Sequence, residues 1–244
     1  MNLRQIRTIW FKENRAYFSS PIAYVIAAVF IGLTGFSFAL SVQGRFPEAT
    51  VRGFLFGPTG AFFLIILMSP ALTMRLFAEE QKLGTMELLL TAPIRDTEIV
   101  LGKFLSAFTI MLGMFGLTLY FPFLLIWFGD PEVLPILTAY VGLILLGAVA
   151  AAIGLLGSSF TSNQIVAAVV SLGVLLLLWL ASFAASLGGA ESPWVEFVRF
   201  LSLNDHLRDL TFGILDSRDI VYFLSLTAFF LFVTSRVVEM RRWR

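Results

Sequence analysis

Six apolar stretches, over residues 22–42, 54–73, 104–128, 133–156, 164–187 and 220–234, divide the chain, and the charged residues fall almost entirely between them. An α-helix needs about 20 residues to cross a hydrocarbon core. A lone extended strand would leave its backbone groups unsatisfied in lipid, so each stretch predicts a membrane-spanning helix. Pro58, Pro70, Pro122, Gly142 and Gly147 fall within these spans, where such residues are better tolerated than in soluble helices. The pattern predicts an all-α polytopic membrane protein, with residues 1–244 forming one transmembrane domain of six helices.

Three polar or mixed segments break this pattern. In residues 1–20, Leu3, Ile6, Ile9, Trp10 and Tyr17 recur at helical spacing, with Arg4, Arg7, Lys12 and Arg15 between them. That spacing predicts an amphipathic helix lying in the headgroup region, ended by Ser19-Ser20-Pro21. In residues 74–103, "MRLFAEEQKLGTMELLLTAPIRD" predicts a polar helical end through Lys82, a turn at Gly84 and a short helix stopped by Pro93. Thr85 is the expected N-cap, Glu87 suits the positive first turn, and Leu88, Leu89 and Leu90 give the helix an apolar surface. Three leucines on a water-facing loop suit docking into a partner's groove, with a helix resting on lipid as the alternative. In residues 188–219, apolar positions from Trp194 to Leu201 are interleaved with Glu196 and Arg199, which predicts one or two short helices covering the outer mouth.

Composition agrees with membrane insertion: 58% of residues are hydrophobic, 26 are Phe and only 14% are charged. Cysteine is absent, which excludes disulfides and thiolate metal sites. A net charge of +1 gives no reason to expect nucleic acid; the distribution of charge says more. Arg4, Arg7, Lys12, Arg15, Arg75, Lys82, Arg95, Lys103, Arg236, Arg241, Arg242 and Arg244 lie on one side of the expected topology. Arg45, Arg52, Arg199, Arg208 and Arg218 lie on the other. Twelve against five predicts that both termini and the 74–103 segment are cytoplasmic.

Several function classes lose support at this point. No expected span carries an ionisable residue in its interior, whereas proton relays and ion-coupled carriers place such groups there. Gly102-Lys103 has Thr97 where a phosphate-binding loop needs its first glycine and Phe104 where it needs Ser or Thr. His206 has no metal-binding histidine partner, Ser158-Ser159 lacks a nucleophile elbow, and Glu79 and Glu80 are adjacent and do not share a helix face. The chain is therefore expected to be no enzyme and to draw any energy from another subunit.

The stretch "RLFAEEQKLGTMELLLTAPIRDTEIVLGK" resembles the signature of ABC-2 type permeases, the membrane subunits of ATP-binding-cassette transporters. "SPIAYVIAAVF", "SSFTSNQIVA", "LSLNDHLRDLTFGILDSRDIVYFLSLTAFFLF" and the terminal "RRWR" resemble the gliding-motility-associated branch. The resemblance implies that residues 3–18 form a connecting helix and that residues 77–81, with Glu79 and Glu80, form a Glu-bearing loop. Residues 84–93, from Gly84 to Pro93, would be a coupling helix, and Thr161, Asn163 and Gln164 a second contact for an ABC ATPase subunit. ATP and Mg would belong to that partner, with no cofactor in this chain. The resemblance further implies a second permease copy or homologous half, an auxiliary membrane protein with an extracytoplasmic domain, and a place in the bacterial inner membrane. In the outer cap, with Trp194, the residues His206, Asp209 and Gly213 match the branch. The same features also fit a membrane anchor for a surface or motility complex; neither cargo nor direction is legible.

Overall fold

The computed structural model describes residues 2–43, 52–56, 60–91, 93–129, 131–187 and 193–242, and among these it is helical throughout, without strands. Helix α1 (Leu3–Phe18) starts at Asn2, whose side chain accepts from the Arg4 amide, and is followed by α2 (Pro21–Val42) with proline in its first turn. Helices α3 (Arg52–Phe56), α4 (Ala61–Thr73) and α5 (Arg75–Lys82) follow, then the short α6 (Met86–Thr91). The third span is α7 (Asp96–Thr118) continued by α8 (Tyr120–Phe128). Helices α9 (Val133–Phe160) and α10 (Gln164–Leu187) come next, then α11 (Pro193–Phe200), α12 (Leu203–Thr211) and α13 (Ser217–Arg242).

Among the described residues, six helical segments are long and apolar enough to cross a membrane: Pro21–Val42, Gly53–Lys82, Asp96–Phe128, Val133–Phe160, Gln164–Ser186 and Ser217–Arg241. They coincide with the six apolar stretches but run further at their charged ends. Polar residues leave the membrane without leaving the helix, and Asp96 and Glu98 suit the first turn of α7. The expected boundary at residue 104 is thus corrected by eight residues, which brings Lys103 inside a helix. Pro70 and Pro122 each remove an amide donor. The backbone nonetheless stays right-handed helical through Met74 and Leu119, so α4–α5 and α7–α8 continue one another.

Helix α9 is the pillar of the bundle, 78% buried over its most apolar stretch, whereas α2 is 17% buried. Four α9 glycines explain how the neighbours come so close. A Cβ on Gly154 would run into Thr73 of α4, and one on Gly157 into Ser171 of α10. On Gly147 it would lie 2.8 Å from the Phe115 ring of α7, and on Gly142 3.1 Å from Leu210 of α12. Small residues that admit a neighbour's side chain are the means by which helices associate in lipid, where apolar burial alone discriminates little. The hydroxyls pressed against these glycines are satisfied within their own helices: Thr73 donates to the Ser69 carbonyl (2.8 Å) and Ser171 to the Ala167 carbonyl (2.7 Å).

Candidate functional site at the charged end

The apolar side of α1 packs on protein. Ile6, Ile9 and Tyr17 are buried, while Leu3, Phe11 and Phe18 are exposed. Gly102 makes this contact possible: a Cβ there would lie 2.8 Å from Ile9 and 3.2 Å from the Ile6 carbonyl. Trp10 donates its indole N–H to Thr109 Oγ1 of α7 (2.9 Å), and the Tyr17 hydroxyl donates to the Leu72 carbonyl of α4 (2.6 Å). Arg75 stacks over the Tyr17 ring at 3.9 Å, and burial pushes the Tyr17 phenol up despite the opposing pull of that guanidinium. Part of the apolar face expected to lie in the headgroups thus packs on protein, because the alternation that suits a lipid surface equally suits the side of another helix, while Leu3, Phe11 and Phe18 stay exposed. Arg4, Arg7, Lys12 and Arg15 form its exposed face.

Lys103 of α7 is 1% exposed, and two other helices, α1 and α5, supply its partners. Its Nζ donates to Glu13 Oε1 of α1 (2.9 Å) and to the Leu76 carbonyl of α5 (2.6 Å), pairs with Glu80 Oε2 (2.9 Å) and sits 5.1 Å from the Phe77 ring centre. Lys12, 66% exposed, closes the cluster from the water side at 3.2 Å from Glu80 Oε1. A buried ammonium costs several kcal/mol unless such partners surround it. Two assignments are thereby corrected: Lys103 is not a loop charge, and Glu80 is mostly occupied inside the protein. Glu79 points to solvent.

Helix α5 ends in a glycine turn. The Thr85 amide bonds the Glu80 carbonyl (3.0 Å), the Gly84 amide bonds the Gln81 carbonyl (3.3 Å), and Gly84 has φ +69°, the left-handed residue of a Schellman motif. The turn at Gly84 is as expected, but the cap at Thr85 is not. The Thr85 carbonyl accepts the Leu89 amide, while its hydroxyl donates back to the Glu80 carbonyl (3.3 Å) and caps nothing. In α6, Met86 is buried, Leu89 is half-buried and Leu88 is 73% exposed; Leu83 just before the turn is 67% exposed. Leu88 and Leu89 thus do not share one surface, since consecutive helical residues do not face the same way. The Leu90 side chain and Ala92 lie outside the described residues.

The base of this arm is tied on both sides. The Pro93 carbonyl accepts from Gln5 Nε2 (3.1 Å), and Glu98 takes the Asn2 amide on Oε1 (2.5 Å) and the Arg95 amide on Oε2 (3.2 Å). Gln81 Nε2 reaches the Ser158 and Ser159 carbonyls at the end of α9 (3.3 and 3.1 Å), and Arg241 Nη2 reaches the Phe160 carbonyl (3.0 Å). Beside them, Asn163 Oδ1 accepts from the Ile165 amide (2.9 Å) and caps α10, while Thr161 Oγ1 accepts from the Asn163 amide (3.1 Å). Asn163 is exposed but its side chain is engaged; Thr161 and Gln164 are half-buried. Of the residues expected at a contact surface, Glu79, Gly84, Thr85, Glu87, Leu88 and Pro93 are exposed on the arm.

At the opposite end, His206 is a structural staple. Its Nδ1 lies 2.6 Å from Asp219 Oδ1, its Nε2 3.1 Å from the Phe200 carbonyl, and its ring stacks on Tyr222 at 4.0 Å. A second Schellman turn follows α12: the Ile214 amide bonds the Asp209 carbonyl (3.1 Å), the Gly213 amide bonds the Leu210 carbonyl (3.4 Å), and Gly213 has φ +83°. Asp209 and Gly213 therefore serve this turn through their backbones. Trp194 is exposed on α11 against Phe197. Of the expected 188–219 cap, residues 188–192 lie outside the described residues.

The fold and its polar end define a six-span helical membrane protein with a projecting arm. The chain matches the family model described as "ABC-2 family transporter protein" over residues 12–238 and belongs to that family. The match does not support the gliding-motility-associated branch within it. Comparison with curated proteins gives no match.

Proposed function

We propose that this chain is the permease subunit of an ATP-driven transporter and receives its drive from a separate ATPase docked on the α5–α6 arm. The observation that carries this reading is the contrast along the arm. Its tip shows Leu83, Glu87 and Leu88 to solvent, while its base is held by Lys103, Glu13, Glu80 and Gln81. A push on the tip would reach α1 and α7 through the Lys103 cluster and α9 through Gln81, because a tied base moves as a unit with its partners. ATP and Mg belong to the ATPase. The arm and both termini face the cytoplasm, and the basic excess on that side supports this orientation. Two copies of the chain, or this chain and a homologous half, form the membrane unit. An auxiliary membrane protein and a gliding-type system rest on the sequence resemblance.

The test is co-purification. Leu88→Lys combined with Glu87→Ala should leave the permease inserted and folded but cut recovery of the ATPase by about tenfold or more, the effect of losing one well-placed apolar anchor. Unchanged recovery together with unchanged substrate-stimulated hydrolysis would refute the reading. Crosslinks across α7 and α9 should change with nucleotide in the reconstituted complex; fixed helices would mean an anchor that moves nothing.

A further inference from the structure

Helices α7 and α13 leave between them a groove of about 470 Å³ close to the charged end. Leu101, Leu231 and Phe232 line its apolar part, and Arg95, Arg236 and Glu239 its polar part. Of these residues only Arg95 touches the hold on the arm, through its amide and its charge at Glu98. Along α13 the lining passes from Phe232 to Glu239 over seven residues, about 10 Å of helix at 1.5 Å per residue. Along α7 it passes from Leu101 to Arg95 in the same direction. Both helices belong to segments long and apolar enough to cross a membrane, and the lining grades from apolar side chains toward the charged ends of both, as a site reaching from hydrocarbon to headgroups would.

We infer that this groove binds one phospholipid with a zwitterionic, primary-amine headgroup of the phosphoethanolamine class. Its phosphate lies between the guanidinium groups of Arg95 and Arg236, its ammonium at Glu239, and its acyl chain along Leu101, Leu231 and Phe232. The gradation of the lining selects an amphiphile over a wholly apolar or wholly polar ligand. The charges select the headgroup: Glu239 shares the lining with Arg95 and Arg236, so a head that carries an ammonium beside its phosphate answers all three, and one without an ammonium leaves Glu239 unanswered. A quaternary choline has no N–H to donate to Glu239. Arg236 is preset for this role. Its guanidinium lies 4.9 Å over the Phe232 ring, at the boundary between the two parts, and it is paired with Glu239 at 2.6 Å. With side chains 59% and 44% exposed, that pair is cheap to open, so a phosphate and an ammonium can insert between its members.

The experiment offers equal amounts of phosphatidylethanolamine, phosphatidylglycerol and phosphatidylcholine to the full-length permease, with its ATPase where the two co-purify, and measures retained lipid by mass spectrometry after detergent washing. Phosphatidylethanolamine should be retained over both others. Arg95→Gln with Arg236→Gln should lower its retention about tenfold or more, the loss of charge-assisted bonds to phosphate. Glu239→Gln should abolish the preference over phosphatidylcholine while keeping phospholipid bound. All variants should keep the wild-type melting temperature in detergent, since these side chains are exposed. Equal retention of the three lipids, or undiminished phosphatidylethanolamine in the double Arg variant, would overturn the inference. So would a photoreactive group at Ser235 that crosslinks to the ATPase instead of lipid.

Discussion

The two glycine turns of this molecule have the same local geometry and opposite surroundings. After α5, Gly84 closes a Schellman motif with nothing within 4 Å of the place a Cβ would occupy. After α12, Gly213 closes the same motif with Pro135 of α9 at 3.3 Å from that place. The first turn throws a short helix outward, so Leu83 and Leu88 meet solvent. The second lays α12 down: Leu207 and Leu210 are fully buried beside Gly142, and Thr138 of α9 donates to the Leu210 carbonyl at 2.6 Å. One device thus builds a handle at one end and a plug at the other. What decides between them is whether a neighbouring helix waits beyond the turn.

The largest effect should come from the base of the handle. Lys103→Met leaves Glu13 and Glu80 facing each other with only the exposed Lys12 between them and no buried cation, and about 3 kcal/mol of stability should be lost. Melting in detergent measures it. Lys103→Met combined with Glu13→Gln and Glu80→Gln should recover much of the loss, because the penalty is uncompensated charge. If the triple variant melts no higher than the single one, the cluster acts by packing alone.

The plug should respond next. His206→Phe keeps a ring against Tyr222 but deprives Asp219, 5% exposed, of its partner at 2.6 Å. A loss of about 1–3 kcal/mol follows from leaving a buried acceptor unmade. Adding Asp219→Asn should return part of it. ATPase co-purification should be untouched by both, and a fall in recovery would mean that the two ends are not independent.

The spans were legible because hydropathy over some 20 residues is a property of the stretch itself, and the Gly84 turn was legible because a glycine after a polar helical end has a local meaning. What stayed hidden is pairwise and remote. Lys103 meets Glu13 from 90 positions away, and in a one-dimensional reading a lysine near the end of an apolar stretch looks like a topology signal. The docking of α1 did leave one trace: Gly102, read only as a failed phosphate loop, is the notch into which Ile9 fits. The leucine run misled because identical neighbours look like one surface, although the helix exposes Leu88 and half-buries Leu89. His206 gave no sign of its role, since Asp219 and Tyr222 come from the next helix.

The smallest expected change separates the two turns most sharply. An alanine in a left-handed position costs about 1–2 kcal/mol in backbone strain, and asparagine avoids most of it because it visits that region readily. At Gly84 only this term acts, since a side chain there meets nothing. Gly84→Ala should therefore lower stability by about 1 kcal/mol and Gly84→Asn by a few tenths. At Gly213 the same strain is joined by contact with Pro135, so Gly213→Ala should cost more than Gly84→Ala, and Gly213→Asn should not recover it. Function divides the other way. Gly84→Ala redirects the handle and should weaken ATPase recovery with little loss of melting temperature, while Gly84→Asn keeps both. If Gly84→Asn and Gly84→Ala behave alike in both measurements, the direction of the arm does not depend on the left-handed turn, and the contrast between handle and plug lies elsewhere than in these two residues.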